Sequence, residues 1–163
     1  MTAKVLHDAC CPVFTGPHLE HPPALDSPSF RHVLCAIDLG PQTKPVLHWA
    51  RWFAEQFACD VSVVHALPGA ATYLNGVYFD PASRNDLTAE ALRTFDAFQA
   101  EMHTEYELRV EGGDPASVVS DAAQIACAGL VVIGRGHRHG KLGRLRDNAY
   151  SIVRESPCPV VTI

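Results

Sequence analysis

The amino-acid sequence predicts an α/β fold with one open, doubly wound, five-stranded parallel sheet and helices on both of its faces. From residue 30 to the end of the chain, short apolar runs alternate with longer helix-like segments. The short runs are continuously apolar, which is typical of parallel strands that are covered on both faces. A length of 163 residues fits one such domain.

Five apolar runs are predicted as strands because they are short and are bounded by turn-forming residues. The first run stops at Gly40-Pro41, and the third ends in the turn Gly112-Gly113. In chain order, the predicted strands cover residues 31–38, 60–67, 106–113, 130–134 and 158–163.

Four segments between these strands have the features of helices. In the first, apolar residues recur at helical spacing and Thr43 is a plausible N-cap. Ser83 or Asn85 caps the second helix, and Asp114, followed by a proline, caps the third. The predicted helices cover residues 43–58, 83–103, 114–128 and 148–155.

Residues 1–29 do not fit this alternation and are predicted as an N-terminal extension to a domain that covers residues 30–163. The segment VLHDACCPVFT at 5–15 aligns with IVRESPCPVVT at 152–162, including a shared Cys-Pro-Val. Residues 1–16 are therefore interpreted as the remnant of a preceding repeat, and the proline-bearing residues 17–29 as a linker. Chance similarity between two short amphipathic segments is the alternative.

Charge is distributed unevenly along this chain, whose net charge is −5. Five of the 13 Lys and Arg residues fall between residues 135 and 146, which leaves eight bases against 18 acids elsewhere. Such a chain is a poor non-specific nucleic-acid binder, and no nucleic-acid partner is expected. The basic loop suits a small phosphate-bearing ligand, and a solvated charged loop is the alternative.

The sequence has no pattern typical of a membrane, secreted, disulfide-bonded or metal-binding protein. No apolar run is long enough to span a membrane and no signal-peptide core follows Met1, so we expect a cytoplasmic protein without a membrane partner. The six cysteines form no CxxC pair and are expected to be reduced thiols. His137 and His139 lie in a glycine-rich turn without a nearby Cys, so no metal site is expected.

Two polar segments follow predicted strands that parallel pairing brings to one edge of the sheet. Asp38-Leu39-Gly40 follows the first strand, and Gly134-Arg135-Gly136 follows the fourth. Open doubly wound sheets bind their ligands at the carboxyl ends of the strands. We therefore expect one cleft between these two segments.

Residues 30–163 resemble a universal stress protein domain. The resemblance rests on HVLCAIDLG, VLHWARWFAEQFACDVSVVHAL, VEGGDPASVVSDAAQIACAGLVVIGRG and SIVRESPCPVVTI, in that order and spacing. It implies a Rossmann-like fold, a role in the stress response and a homodimer formed through the closing strand, residues 158–163. Residues 11–15 are then expected to pair beside 158–162, either in cis or exchanged between two chains.

Nucleotide-binding members of this family are similar in carrying Gly-x2-Gly-x9-Gly-Ser/Thr after the fourth strand. Here Gly134 takes the first position, Gly136 comes one residue early, and Arg146-Asp147 stand where Gly-Ser is expected. A carboxylate beside phosphate oxygens is unfavourable, whereas Asp147 is a good helix N-cap. Arg146 offers a guanidinium fork that suits phosphate, and Arg135, Lys141 and Arg144 are candidates to assist it.

The resemblance implies a set of residues around the ligand. Several of them could instead have a structural role. Ile37, Ala66 and Ile133 are also typical of core positions at strand ends, and Asp38 is also compatible with a helix cap. His65 is interpreted as a hydrogen-bonded core histidine. The candidate binding residues are Ala36, Ile37, Asp38, Ala66, Ile133, Gly134, Gly136, Arg146, Asp147 and Asn148.

The resemblance implies a ligand-sensing stress-response module without efficient catalysis, with anion binding in the basic loop and a degenerate ATP motif. It carries no P-loop Lys-Ser/Thr and no evident nucleophile–base pair, so no catalytic residue is assigned. The alternative is a domain that binds ATP or AMP, with or without Mg²⁺, and hydrolyses it slowly or not at all.

Overall fold

The computed structural model describes residue 6 and residues 9–16, 30–67, 81–135 and 144–163. Six strands and four helices are found within these residues. The strands are β1 (Val13–Thr15), β2 (His32–Ile37), β3 (Asp60–Leu67), β4 (Leu108–Gly112), β5 (Leu130–Ile133) and β6 (Val160–Thr162). The helices are α1 (Thr43–Phe57), α2 (Pro81–Met102), α3 (Pro115–Ile125) and α4 (Arg144–Glu155).

The strands form one sheet in the order β1-β6-β5-β2-β3-β4. All neighbouring pairs from β6 to β4 are parallel, which confirms the predicted α/β fold with its parallel sheet. The sheet has six strands instead of the predicted five, because β1 adds to the edge of β6 in antiparallel orientation. This addition gives hydrogen-bond partners to an edge that would otherwise present unpaired backbone groups.

Both faces of the sheet are covered, so successive strand residues are buried on opposite sides. In β2, Val33 and Cys35 pack in the cluster that contains buried residues of α1 and α2. Leu34, between them, packs in the second cluster, with buried residues of α3 and α4. This double burial explains the continuously apolar runs in the sequence.

At three of the four helix starts, the residue predicted as the N-cap lies inside the helix instead. In α1, Gln42 is the N-cap and Thr43 is the first helical residue, fully buried. Pro81, which suits the first turn, begins α2 ahead of the two predicted caps. Because the segment Arg-Leu-Arg before Asp147 consists of good helix formers, α4 begins at Arg144, and Asp147 lies inside the helix instead of capping it.

The predicted start of α3 is confirmed. The Asp114 carboxylate accepts hydrogen bonds from the backbone N–H groups of Ala116 and Ser117, at 3.1 and 3.2 Å. Pro115, which has no N–H to satisfy, occupies the first helical position.

The six cysteines are free thiols in very different surroundings. Cys10, Cys11 and Cys127 are exposed, whereas Cys35 and Cys158 are buried. Burial disfavours the charged thiolate and therefore raises the pKa of the Cys35 and Cys158 thiols above its ordinary value.

No helix of the described residues is both long and apolar enough to cross a membrane.

Asp114→Ala should lower the free energy of unfolding by about 1 kcal/mol, since it removes the acceptor for two N–H groups at the start of α3. Urea denaturation followed by circular dichroism measures the change. Asp121→Ala, at an exposed position of the same helix, is the matched control and should have a smaller effect. Equal losses in both variants would contradict the capping role.

Thiol labelling near pH 8 should separate the cysteines by burial. Cys10, Cys11 and Cys127 should react quickly, because only an accessible thiolate is nucleophilic. Cys35 and Cys158 should react only after the protein is unfolded. Mass spectrometry of peptides from native and urea-unfolded protein reports each site, and rapid labelling of Cys35 in the folded protein would contradict the core packing.

Candidate functional site

A cleft lies at the carboxyl edge of the parallel sheet, where β2, β3 and β5 end. Its empty volume is about 760 Å³, part of which is open to solvent. Parallel pairing of Ala36 with Ile133 places the turn after β2 beside the turn after β5. The two turns therefore lie at the same edge of the sheet, as expected from the sequence.

Apolar side chains form most of the cleft walls. Ile37, Ala66 and Ile133 come from three neighbouring strands, and Val119 and Ile152 come from the helices on one face of the sheet. Such a lining favours a flat or apolar part of a small molecule over a fully hydrated ion.

The polar members of the lining include Asp38, whose carboxylate Oδ1 accepts a hydrogen bond of 2.8 Å from the Gly40 N–H. This bond closes the turn between β2 and α1, in which Leu39 has a left-handed φ of 57°. The carboxylate is exposed, and its second oxygen can accept from a ligand hydroxyl. Asp38 thus stabilises the turn and is not the cap of α1.

Gly134 makes a close approach that only glycine allows. A Cβ atom on Gly134 would lie 2.7 Å from the Cβ of Gln42, a distance that real Cβ atoms do not show. The Gln42 side chain therefore packs directly over the backbone of Gly134 at the cleft. Sequence reasoning missed Gln42, since a lone Gln before a helix carries no motif.

Two further polar side chains line the cleft, one from β3 and one from the first turn of α1. His65 Nδ1 lies 2.9 Å from the Ile37 carbonyl oxygen, which can only accept, so this nitrogen carries the proton. This contact bears out the predicted hydrogen bond of His65, but the side chain is half-buried and lines the cleft instead of lying in the core. Thr43 Oγ1 is buried and has no hydrogen-bond partner within the described part of the chain.

Through its guanidinium, Arg135 binds the N-terminal segment and not the cleft, where it was expected to assist in phosphate binding. Its guanidinium donates hydrogen bonds to the carbonyl oxygens of Ala9 and Cys11. Its backbone N–H donates to the Ile163 carbonyl at 3.1 Å. Arg135 therefore fastens the N-terminal segment to the end of β6.

The predicted binding and assisting residues divide into three groups. Those that line the cleft are Ala36, Ile37, Asp38, Ala66, Ile133, Gly134 and Asn148. Gly136 and Lys141 lie outside the described residues. Arg144, Arg146 and Asp147 form the first turns of α4, for which the structure describes the helical backbone.

No metal site is evident in the part of the chain that the structure describes. Within it, no group of three or more His, Cys, Asp or Glu side chains could hold a metal ion.

The fold and the cleft define an open, doubly wound α/β domain with a pocket where its parallel strands end. The sequence model of the Universal stress protein family matches residues 29–163. The chain belongs to this family. No curated protein matches the chain in sequence.

Solved structures of the same fold include a universal stress protein from Archaeoglobus fulgidus DSM 4304, with a TM-score of 0.66 and 20% identity. That alignment covers 99% of this chain and 52% of the other. This chain spans about half the length of the first structures that it matches.

Two other solved structures are nucleotide complexes. The universal stress protein from Archaeoglobus fulgidus in complex with dAMP has a TM-score of 0.54 and 20% identity, over 83% of this chain and 98% of that one. A universal stress protein in complex with cAMP has a TM-score of 0.55 and 20% identity, over 83% and 97% of the two chains. At these identities the likeness concerns the fold.

Gly134→Ala should lower the free energy of unfolding by about 1–3 kcal/mol, because the new methyl group overlaps the Cβ of Gln42. The double variant Gln42→Gly/Gly134→Ala should recover most of that loss, since the N-cap position tolerates glycine. Chemical denaturation of the single and double variants measures the coupling.

Gly112→Ala is the control for this prediction, because its methyl group would meet only the mobile end of Arg84. An equal loss in Gly112→Ala, or no recovery in the double variant, would contradict the close packing of Gln42 on Gly134.

Proposed function

We propose that this chain is a ligand-sensing stress-response module whose cleft binds an adenine nucleotide, AMP or ATP, without efficient turnover. The observation that carries the proposal is the cleft itself, which combines apolar walls with a carboxylate at the edge where parallel strands end. That edge is the usual ligand position in open doubly wound sheets.

The shape and lining of the cleft suit a nucleoside. A purine ring would be sandwiched by the apolar ends of three strands, around Ile37, Ala66 and Ile133. Asp38 would accept a hydrogen bond from a ribose hydroxyl through the oxygen that does not hold the turn. Both contacts use side chains already placed by the sheet.

The phosphate side of the ligand would face the start of α4. Asn148, Ala149 and Ile152, in the middle of this helix, line the cleft, so the first turn of the helix lies just beyond the lining. The N-terminal end of a helix attracts anions through its free N–H groups and its dipole. Arg144 and Arg146 add two positive charges to the same turn of helix.

The described lining offers little for catalysis. The imidazole of His65 is engaged through Nδ1 with the Ile37 carbonyl, and Asp38 is engaged with Gly40. Neither forms a hydrogen-bonded pair with a nucleophile among the described side chains. Binding without rapid hydrolysis is the behaviour that this arrangement favours.

Complexes of related folds add support to the nucleotide assignment. The two neighbours described above were crystallised with dAMP and cAMP, both adenine nucleotides with a single phosphate. A monophosphate needs fewer backbone N–H donors from the altered glycine motif than a triphosphate does, because it has fewer phosphate oxygens.

A second candidate is a nucleotide-free stress protein that retains anion binding in its basic loop. The close packing of Gln42 over Gly134 favours it, since this packing narrows the approach to the backbone of the first glycine. Arg146-Asp147 in place of Gly-Ser acts in the same direction, because the hydroxyl donor is missing.

Titration calorimetry of nucleotide-stripped protein with AMP and with ATP, each with and without Mg²⁺, distinguishes the two candidates. We expect affinity in the micromolar range and no loss of ATP during incubation with stoichiometric protein. Arg146→Ala should weaken binding by about tenfold or more, as expected for a lost charge-assisted hydrogen bond to phosphate.

Arg154→Ala is the matched control, because it removes the same charge from the opposite end of α4, where Arg154 bonds Glu155. Asp38→Asn keeps an acceptor for Gly40 and tests the ribose contact. Absence of heat with both nucleotides, in protein shown to be folded, would overturn nucleotide binding and favour the second candidate.

A further inference from the structure

The outer side of β4 pairs with no strand among the residues that the structure describes. β1 occupies the edge of β6, whereas β4, at the other end of the strand order, pairs only with β3. An edge of this kind presents unpaired N–H and C=O groups and is a template for a further strand. The outer edge of β4 can therefore accept another strand.

The hydrogen bonds between β3 and β4 show which residues of β4 point outward. The Val63 N–H donates to the Glu107 carbonyl at 3.0 Å, and the Gly113 N–H donates to the Leu67 carbonyl at 3.0 Å. Because the direction of the backbone groups alternates along a strand, the odd-numbered residues of β4 bond to β3. The residues that direct their N–H and C=O groups outward are Leu108, Val110 and Gly112.

Two opposite charges lie on either side of Val110, the central residue of β4. Arg109 Nε donates to Glu111 Oε1 at 2.9 Å, and the two side chains remain 43% and 40% exposed. Both lie on the face of the sheet that carries α3, where they line a groove with an empty volume of about 620 Å³. Each charge is therefore free to contact a strand that pairs with this edge.

The order of these charges makes the edge complementary to itself in one register. When a second copy of β4 runs antiparallel with Val110 opposite Val110, Arg109 of each copy lies opposite Glu111 of the other. A shift of two residues in either direction would place arginine opposite arginine or glutamate opposite glutamate, which is destabilising. The charges therefore select the register that is centred on Val110.

We propose that the outer edge of β4 is an interface for β4 of a second copy of this chain, with the two-fold axis at Val110. In this register the outward-directed residues form hydrogen-bonded pairs, Val110 with Val110 and Leu108 with Gly112. Arg109 and Glu111 fall at the positions between these pairs, where opposing side chains are closest. The contact is isologous, so each copy contributes both charges.

The groove beside β4 adds apolar area to this contact. Ile125 of α3 lines the groove and is 65% exposed. A two-fold axis perpendicular to the sheet keeps α3 of both copies on one face, so the two grooves join and Ile125 of each copy becomes less exposed. Because β4 has only five residues, the buried area is small and we expect a dissociation constant in the micromolar range.

Charge reversal with sedimentation velocity, measured across the micromolar range, tests the register. Wild type should show a concentration-dependent doubling of molar mass. Arg109→Glu and Glu111→Arg should each weaken this association by about tenfold or more, because each puts like charges opposite one another twice. An equimolar mixture of the two variants should form a heterodimer, and the double variant Arg109→Glu/Glu111→Arg should associate like wild type.

Arg154→Glu, at an exposed position of α4, is the matched control for net charge and should associate like wild type. Circular dichroism establishes that each variant is folded. A wild type that stays monomeric would overturn the proposal. Folded single variants that associate as strongly as wild type would also overturn it, since they would place any dimer at another surface.

Disulfide trapping gives a second readout that does not depend on the charges. A hydrogen-bonded antiparallel pair has Cα atoms about 5.5 Å apart, which a disulfide can bridge. With the exposed Cys10, Cys11 and Cys127 replaced by serine, Val110→Cys should give a covalent dimer joined at residue 110.

Leu108→Cys is the control for trapping, because Leu108 lies opposite Gly112 of the second copy and not opposite itself. It should give little covalent dimer under the same oxidising conditions. Mass spectrometry of the cross-linked peptides identifies the joined residues. Equal trapping of both variants, or none with Val110→Cys, would contradict the proposed register.

Discussion

The parallel pairing of β2 with β5 is the interaction on which the cleft depends. Its register sets Val33 beside Leu130 and Ala36 beside Ile133, so both strands end at the same height. The turn that begins at Asp38 and the turn that begins at Gly134 therefore leave the sheet as neighbours. A shift of one residue would move the side chains of one strand to the opposite face and separate the two turns.

Much of the fold can be predicted from the sequence, because strands that are buried on both faces are continuously apolar runs. The strand at 60–67 has the same bounds in the structure, and Asp114 caps α3 as its position before a proline indicates. Helix starts were harder to place where capping candidates stood inside good helix-forming sequence, as with Asp147 in α4. The pairing of residues 11–15 beside 158–162, expected from the likeness of residues 5–15 to 152–162, is found in cis; local periodicity does not report it, because it joins segments far apart in the sequence.

The candidate cleft was predictable to the extent that strand ends define it. Asp38 and Gly134 follow apolar runs, so the sequence alone predicts that they lie at one edge of the sheet. Gln42 and the orientation of Arg135 could not, because each depends on a tertiary contact: Gln42 with the backbone of Gly134, and Arg135 with the carbonyls of Ala9 and Cys11. Basic residues that are close in the sequence therefore need not share one function, since Arg135 binds the N-terminal segment.

The junction of β1 with β6 also has a consequence for how the protein is made. The hydrogen bond from Thr15 to Val160 joins residues 145 positions apart. A ribosome delivers Thr15 well before Val160, so the two strands cannot meet until the residues between them have been synthesised. The central parallel strands can assemble first, and this outer edge of the sheet is the part of the fold that closes last.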